Sequence, residues 1–130
     1  MKRKIASDLM TRTVITAKED MLLIDAGELM LKHSIGCLPV VDDQNGLVGI
    51  LTEYDIMNFA LSGEADRAIV AEAMSREVIT FPPNANFETI ANCCIGRRIH
   101  RVPVVENNKV VGIVSRHDVL AVMLKLYRDS

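Results

Sequence analysis

Apolar and polar positions along this chain follow two rhythms, and each rhythm occurs twice in the same order. At helical spacing, Leu23, Ala26, Leu29 and Met30 form one stripe, and Phe87, Ile90, Ala91 and Cys94 form another. Recurrence at three and four residues marks an amphipathic helix that buries one face. Asp20 is placed to cap the first of these helices, and the second begins after Pro82-Pro83-Asn84. Apolar runs follow each helix. Cys37 to Val41 and Leu47 to Leu51 flank Asp42-Asp43-Gln44-Asn45-Gly46, while Val102 to Val105 and Val110 to Val114 flank Glu106-Asn107-Asn108-Lys109. Such runs around a polar turn, with the favoured Asn-Gly dipeptide at Asn45-Gly46 in the first, predict β-hairpins. A brief β-branched strand is predicted ahead of each amphipathic helix, Val14 to Thr16 and Val78 to Thr80. Ahead of that comes a short helix, Ile5 to Met10 and Ile69 to Met74. A closing helix begins near Glu53 and again near Arg116.

These parallels extend to the residues themselves. Leu38-Pro39-Val40-Val41-Asp42 returns as Val102-Pro103-Val104-Val105-Glu106, an offset of 64 (103 − 39). Met10 and Val14-Ile15-Thr16 return at the same offset as Met74 and Val78-Ile79-Thr80. Val48-Gly49-Ile50-Leu51-Thr52 and Asp55 return as Val111-Gly112-Ile113-Val114-Ser115 and Asp118 at an offset of 63 (112 − 49), one residue having been lost in the hairpin turn. A duplication this regular predicts two similar supersecondary units. Two copies are too few for a solenoid, so a closed pseudo-twofold pair with two related clefts is expected. Ser62-Gly63-Glu64 is the convincing break, which sets repeat 1 at 1–62, a linker at 63–67 and repeat 2 at 68–130.

Composition narrows the function classes. With 49% hydrophobic and 25% charged residues in 130, the chain can bury a core. A net charge of −2 argues against a surface that attracts nucleic acid or anionic lipid, and the absence of Trp argues against an aromatic nucleic-acid platform. The basic start Lys2-Arg3-Lys4 runs into Asp8 instead of an apolar core, so no signal peptide is read there. No apolar run reaches the ~20 residues that span a bilayer. Three cysteines, Cys37 and the pair Cys93-Cys94, have no CxxC spacing and suggest reduced thiols in a cytoplasmic protein.

The element Gly-x-x-[Ser/Thr]-x-x-Asp carries the candidate chemistry. Thr52 and Ser115 fall where a strand gives way to a helix, with Asp55 and Asp118 three residues on. That spacing is a capping box, in which hydroxyl and carboxylate each accept from the other's backbone N–H. The same helix start offers N–H groups and a positive dipole to a phosphate, and a carboxylate nearby can accept from both hydroxyls of a ribose. One hydroxyl can cap an empty helix and touch a ligand when one is bound. The copies differ most just before the second hairpin: Ile99-His100-Arg101-Val102-Pro103 corresponds to the uncharged Ile35-Gly36-Cys37-Leu38-Pro39, and Arg97 and Arg98 add charge at a helix end. Arg suits planar recognition of phosphate oxygens.

In element order and in its paired phrases the chain resembles the cystathionine-β-synthase (CBS) domain family. The phrases are Val14-Ile15-Thr16, Leu38 to Asp42 and Gly49 to Asp55, with their partners Val78-Ile79-Thr80, Val102 to Glu106 and Gly112 to Asp118. The resemblance covers nearly the whole chain. It implies an α/β (α+β) fold of two tandem β-α-β-β-α repeats packed with pseudo-twofold symmetry. It also implies a regulatory module that senses AMP, ADP, ATP or S-adenosylmethionine and passes that state to a partner not identifiable from the sequence. By that resemblance Asp55 and Asp118 hold ribose, Thr52 and Ser115 face phosphate, and Ile15 and Ile79 flank adenine. His100-Arg101 closely resembles the His-Arg that contacts nucleotide phosphates in the γ subunit of AMP-activated protein kinase. Carried over, His100 and Arg101 join Asp55, and Gly36 and Cys37 join Asp118. The Asp55 cleft is then expected to favour phosphates, unless Glu53 beside Asp55 and Arg116-His117 beside Asp118 reverse the ranking.

The preferred expectation is an adenine-nucleotide sensor reporting energy status. The alternatives are a purely structural dimerisation or docking module, and an S-adenosylmethionine sensor. No nucleophile–base–orienter set is visible, so no catalysis is expected. Met10 and Met74 are read as space-filling, and His33 and His117 as surface residues. Adjacent Cys93 and Cys94 are poorly placed to share a metal, so no metal site is expected. Apolar stripes on the closing helices, Ile56, Met57, Ala60 and Leu61 and then Val119, Leu120, Met123, Leu124 and Tyr127, suggest a symmetric homodimer.

Overall fold

Polar turns between the paired apolar runs close two antiparallel hairpins, and every other element is placed against one of them. A computed structural model describes residues 4–129; Lys2 and Arg3 of the basic start lie outside the described residues. The order is α1 (Ala6–Leu9), α2 (Leu23–His33), β1 (Cys37–Val41), β2 (Leu47–Thr52), α3 (Glu53–Leu61), α4 (Val70–Ala73), α5 (Phe87–Arg97), β3 (Arg101–Glu106), β4 (Lys109–Ser115) and α6 (Arg116–Arg128). β1 pairs with β2 with Pro39 opposite Ile50, and β3 with β4 with Pro103 opposite Ile113; each ladder is irregular at the same place, after Val40 and after Val104. The first turn is held by Asp42, whose Oδ1 accepts from the N–H groups of Gln44 and Gly46 at 2.9 and 2.8 Å. The second is shorter and puts Asn107 and Asn108 at φ 52° and 65°, the left-handed pair that suits a tight hairpin. This difference accounts for the residue lost between the repeats.

The brief strands expected at Val14–Thr16 and Val78–Thr80 do not form as ladders. Each is reduced to one parallel bridge just beyond, at Ala17 with Val40 and at Phe81 with Val104. Ala17 donates to the Pro39 carbonyl and accepts from Val41, both at 2.9 Å, and Phe81 does the same with Pro103 and Val105 at 3.1 and 2.9 Å. The preceding rung would need an N–H from Pro39 or Pro103, and proline has none. The strand stops where its donor is missing.

Asp20 does not cap α2. The N-cap is Leu22, without a side-chain cap, and the helix entry is held by later chain: Leu23 N donates to the Ala68 carbonyl and Val70 N to that of Met21, both at 2.9 Å. At α5 the side chain of Asn86 accepts from Thr89 N at 2.8 Å, and Phe87 N donates to the Lys4 carbonyl at 3.0 Å. Thus the segment ending at α4 serves α2, and the segment leading into α1 serves α5.

The chain accordingly divides into two compact units, Ile15–Val78 and, in the other, everything from Ile79 onward together with the segment up to Val14. These are not the sequence repeats 1–62 and 68–130, because the leading segments have changed places. In the unit of residues 15–78, Leu23, Leu38 and Leu51 are fully buried with Val40, and Ala68 and Val70 complete the cluster. In the other unit Ala6 and Leu9 join Ile90, Val102, Val104 and Val114. Each large aliphatic side chain so buried contributes about 1.5–3 kcal/mol.

Met10 and Met74 fill the space left by two glycines. A Cβ at Gly112 would collide with the Met10 Sδ, and a Cβ at Gly49 would lie 2.8 Å from the Met74 Sδ and 2.8 Å from the Ser75 carbonyl oxygen. Each methionine therefore lies on the bare backbone of a glycine that belongs to the other sequence repeat.

Candidate functional site

The strands β2 and β4 run straight into helices α3 and α6, and at both corners the capping box forms. Thr52 N and Oγ1 donate to Asp55 Oδ2 at 2.8 and 3.0 Å, and Asp55 N donates back to Thr52 Oγ1 at 3.3 Å. Ser115 and Asp118 repeat this at 2.7, 2.9 and 3.2 Å. Both carboxylates therefore commit Oδ2 to the helix cap and leave Oδ1 without a donor among the described residues. Asp55 and Asp118 are half-buried and Ser115 is buried.

Antiparallel pairing brings the start of each hairpin to the same corner. Cys37 lies opposite Thr52, and Arg101 opposite Ser115. The residue before each is tied to the first helical N–H: Glu53 N donates to the Gly36 carbonyl at 2.9 Å, and Arg116 N to the His100 carbonyl at 2.8 Å. Gly36, Cys37, Thr52 and Asp55 thus form one corner, and His100, Arg101, Ser115 and Asp118 the other. The expected cross-repeat partnership set His100 and Arg101 with Asp55; the backbone neighbours found for them belong to their own repeat. Arg101 is half-buried and His100 exposed, whereas Cys37 is buried.

Ile15 and Ile79 are not equivalent. Ile15 packs against the core of its unit, while Ile79 is 37% exposed. Burial raises the Cys94 thiol above its ordinary pKa, helped by neighbouring Cys93, which makes it less prone to ionise and react. Among the described residues no group of three or more His, Cys, Asp or Glu could hold a metal ion. No helix among them is long and apolar enough to cross a membrane.

One feature escaped the sequence reading. A Cβ on Gly36 would meet the Glu53 carboxylate, with Cδ and Oε1 at 3.2 Å and Oε2 at 3.3 Å. The carboxyl group lies against the face that the glycine leaves bare. At the equivalent positions of the second repeat stand His100 and Arg116. Aligning the copies shows both exchanges, but only the hydrogen bond between the paired positions shows that they are neighbours.

The chain matches the family described as CBS domain twice, over residues 6–62 and 70–125. It is 35% identical over 112 residues to the CBS domain-containing protein YhcV of Bacillus subtilis, covering 85% of this chain and 79% of that one. Of two longer relatives from Methanocaldococcus jannaschii it spans 41% and 22%. Among solved structures it is similar to the CBS domain pair of protein MJ0100 in complex with 5-methylthioadenosine and S-adenosyl-L-methionine, with a TM-score of 0.85, 29% identity and coverage of 96% of this chain and 99% of that one. It is also similar to CBSX2 of Arabidopsis thaliana in complex with AMP, with a TM-score of 0.85, 26% identity and coverage of 95% and 98%. Two matched copies, a fold of two antiparallel hairpins with their flanking helices, and a repeated hydroxyl–carboxylate corner have one explanation: the chain belongs to the CBS domain family and carries that domain as a tandem pair.

Proposed function

We propose that this chain is a regulatory sensor that receives adenosine-containing ligands, AMP, ADP or ATP foremost, at its two corners and transmits energy status to a partner protein. The observation that carries the reading is the duplicated corner itself. Each places a carboxylate with one uncommitted oxygen beside a capped helix start, a combination suited to ribose hydroxyls and phosphate. Relatives of the same fold bound to AMP, and to 5-methylthioadenosine with S-adenosyl-L-methionine, support an adenosine ligand. In this reading Asp55 and Asp118 accept from ribose, Thr52 and Ser115 face phosphate, Ile15 and Ile79 border the base, and Gly36, Cys37, His100 and Arg101 border the phosphate end. The role is regulatory, with no catalytic step assigned.

Differential scanning fluorimetry against AMP, ADP, ATP, S-adenosylmethionine and NADH tests this. A ligand at one hundred times its dissociation constant stabilises by roughly 2.7 kcal/mol. A panel that leaves the melting temperature unmoved, or an Asp55→Ala/Asp118→Ala double variant that binds like wild type, refutes the reading. Arg101→Ala is expected to weaken AMP by about 1.5–3 kcal/mol, the scale of a hydrogen bond to a charged group, and to leave adenosine nearly unchanged. Double-mutant cycles of Arg101→Ala with Asp118→Ala and with Asp55→Ala decide whether Arg101 serves its own corner or the other.

Assembly is the second part of the proposal. Tyr54, Met57 and Leu61 on α3 and Leu120, Leu124 and Tyr127 on α6 are exposed, more apolar side chain than two short helices usually leave in water. We assign these faces to a symmetric homodimer. A monomer mass by light scattering at tens of micromolar, with and without AMP, removes that assignment.

A further inference from the structure

At the far end of the β1–β2 hairpin from its corner, the turn holds an asparagine followed by a glycine. Asn45 is exposed and stands at φ 64°, a left-handed conformation that asparagine tolerates better than most residues. Gly46 after it has no Cβ to hinder approach to its backbone nitrogen. Asp42 grips that glycine by both backbone groups: Gly46 N donates to Asp42 Oδ1 at 2.8 Å, and Asp42 N donates to the Gly46 carbonyl at 2.9 Å. The Asp42 carbonyl accepts from Asn45 N at 3.0 Å and from the Lys18 ammonium at 2.9 Å. In the second turn Asn108 is followed by Lys109, and no glycine succeeds an asparagine there.

An asparagine before glycine carries its own modifying reagent, which is one reason the residue is thermolabile. The Gly46 nitrogen attacks Asn45 Cγ and forms an N–C bond. The bond from Cγ to the side-chain nitrogen breaks, and ammonia leaves with the proton that the Gly46 nitrogen gave up. Water then opens the cyclic imide at either carbonyl, giving aspartate or isoaspartate without any oxidant or reductant. In this turn the nucleophile is already engaged. Attack requires the Gly46 nitrogen to lose its proton and swing toward Cγ, whereas its N–H is held by a carboxylate, and a negative neighbour opposes the anionic nitrogen that must form. Breaking one hydrogen bond to a charged acceptor slows a step by about tenfold to a hundredfold.

We infer that Asn45 is a self-modification site, deamidating through the Gly46 nitrogen, and that the Asp42 carboxylate sets the rate by holding that nitrogen's N–H. Modification adds a carboxylate beside Asp42 and Asp43, where Lys18 already pairs with Asp43 at 3.4 Å. The isoaspartate product also routes the backbone through the side-chain methylene. The longer path from Asp42 to Gly46 no longer matches the two hydrogen bonds between them, so the tip of the first hairpin loosens and the second hairpin is untouched. This inference concerns the turn alone and is independent of what the corners bind.

Peptide mapping by mass spectrometry, on the full chain incubated at mildly alkaline pH either folded or in concentrated urea, provides the test. In urea Asn45 is expected to convert well before Asn107 and Asn108. Folded wild type is expected to convert Asn45 at least about tenfold more slowly than the chain in urea. Asp42→Ala, with hydrogen exchange in β1 and β2 to check that it is folded, is expected to recover about tenfold of that protection and to leave the rate in urea unchanged. Asp42→Asn keeps an oxygen acceptor in the same place and removes only its charge. It is expected to convert Asn45 about fivefold faster than folded wild type, an acceleration that a purely structural part for Asp42 in the turn would not give. Folded wild type that converts as fast as the chain in urea, or either folded variant staying within about twofold of folded wild type, overturns the inference.

Discussion

Replacing Gly112 by Ala tests the exchange of leading segments directly. The new methyl group would collide with the Met10 Sδ and lie 2.7 Å from its Cγ and 3.0 Å from its Cβ. Overpacking of this kind costs about 1–3 kcal/mol. Alanine returns about 0.4–1 kcal/mol by stiffening the unfolded chain, and Gly112 is not among the positive-φ residues, so no backbone strain is added. The expected net loss is about 1–2 kcal/mol. Because the obstruction is a single flexible side chain, Met10→Ala in the Gly112→Ala background should recover much of it, giving a strongly non-additive cycle. Gly49→Ala should be harder to rescue. Its methyl group meets Met74 Sδ and also the Ser75 carbonyl oxygen, which is held by Ile50 N at 2.9 Å and yields less easily. Urea titration supplies the energies, and amide hydrogen exchange shows where they act. Met10→Ala and Gly112→Ala should both lower protection in β3 and β4 and spare β1 and β2. If Met10→Ala instead loosens β1 and β2, or the cycle is additive, the assignment of the first segment to the second hairpin is wrong.

Further outcomes can be checked on the same preparations. Thr52→Ala and Ser115→Ala should each cost about 1 kcal/mol in urea titrations through loss of a helix cap, and Thr52→Ser should retain most of the stability. Asn108→Val should cost about 1–2 kcal/mol because a β-branched residue resists positive φ, whereas Asn108→Gly should be nearly neutral; equal losses would refute the turn geometry. Because the Cys94 pKa is raised in the fold from 9.0, the unfolded chain releases that proton first. Cys94 should then lower stability as pH rises above about 9, and a Cys94→Ala variant should show a shallower decline there. At pH 8, mass spectrometry after brief iodoacetamide treatment should find Cys93 labelled before buried Cys94 and Cys37.

Much of the fold was legible because its signals are local. Hairpins announce themselves by apolar runs around Asn-containing turns, α2 and α5 by stripes at helical spacing, and both capping boxes by three-residue spacing. All of these depend on residues close in the chain. The duplication added what no single segment carries, a second reading of each element, and with it the family and the candidate pairs Thr52–Asp55 and Ser115–Asp118. The expectations that failed all turned on partners distant in sequence. A strand at Val14–Thr16 has the right composition, but Pro39 withholds the donor its ladder needs. Asp20 has the right chemistry for a cap, but α2 begins three residues later, where Ala68 accepts the helix N–H instead.

By itself the sequence determined the two copies, their order, their turns and the residue types at each corner, since propensity, periodicity and capping act over a few residues. Tertiary structure alone decided which segments share a core. Met10 finds its glycine at Gly112 and Met74 at Gly49, because close packing rewards a side chain wherever it fills bare backbone, without regard to distance along the chain. Tertiary structure likewise decided that the Glu53 carboxylate lies on Gly36, and that at the matching place in the other repeat Arg116 N bonds to the His100 carbonyl.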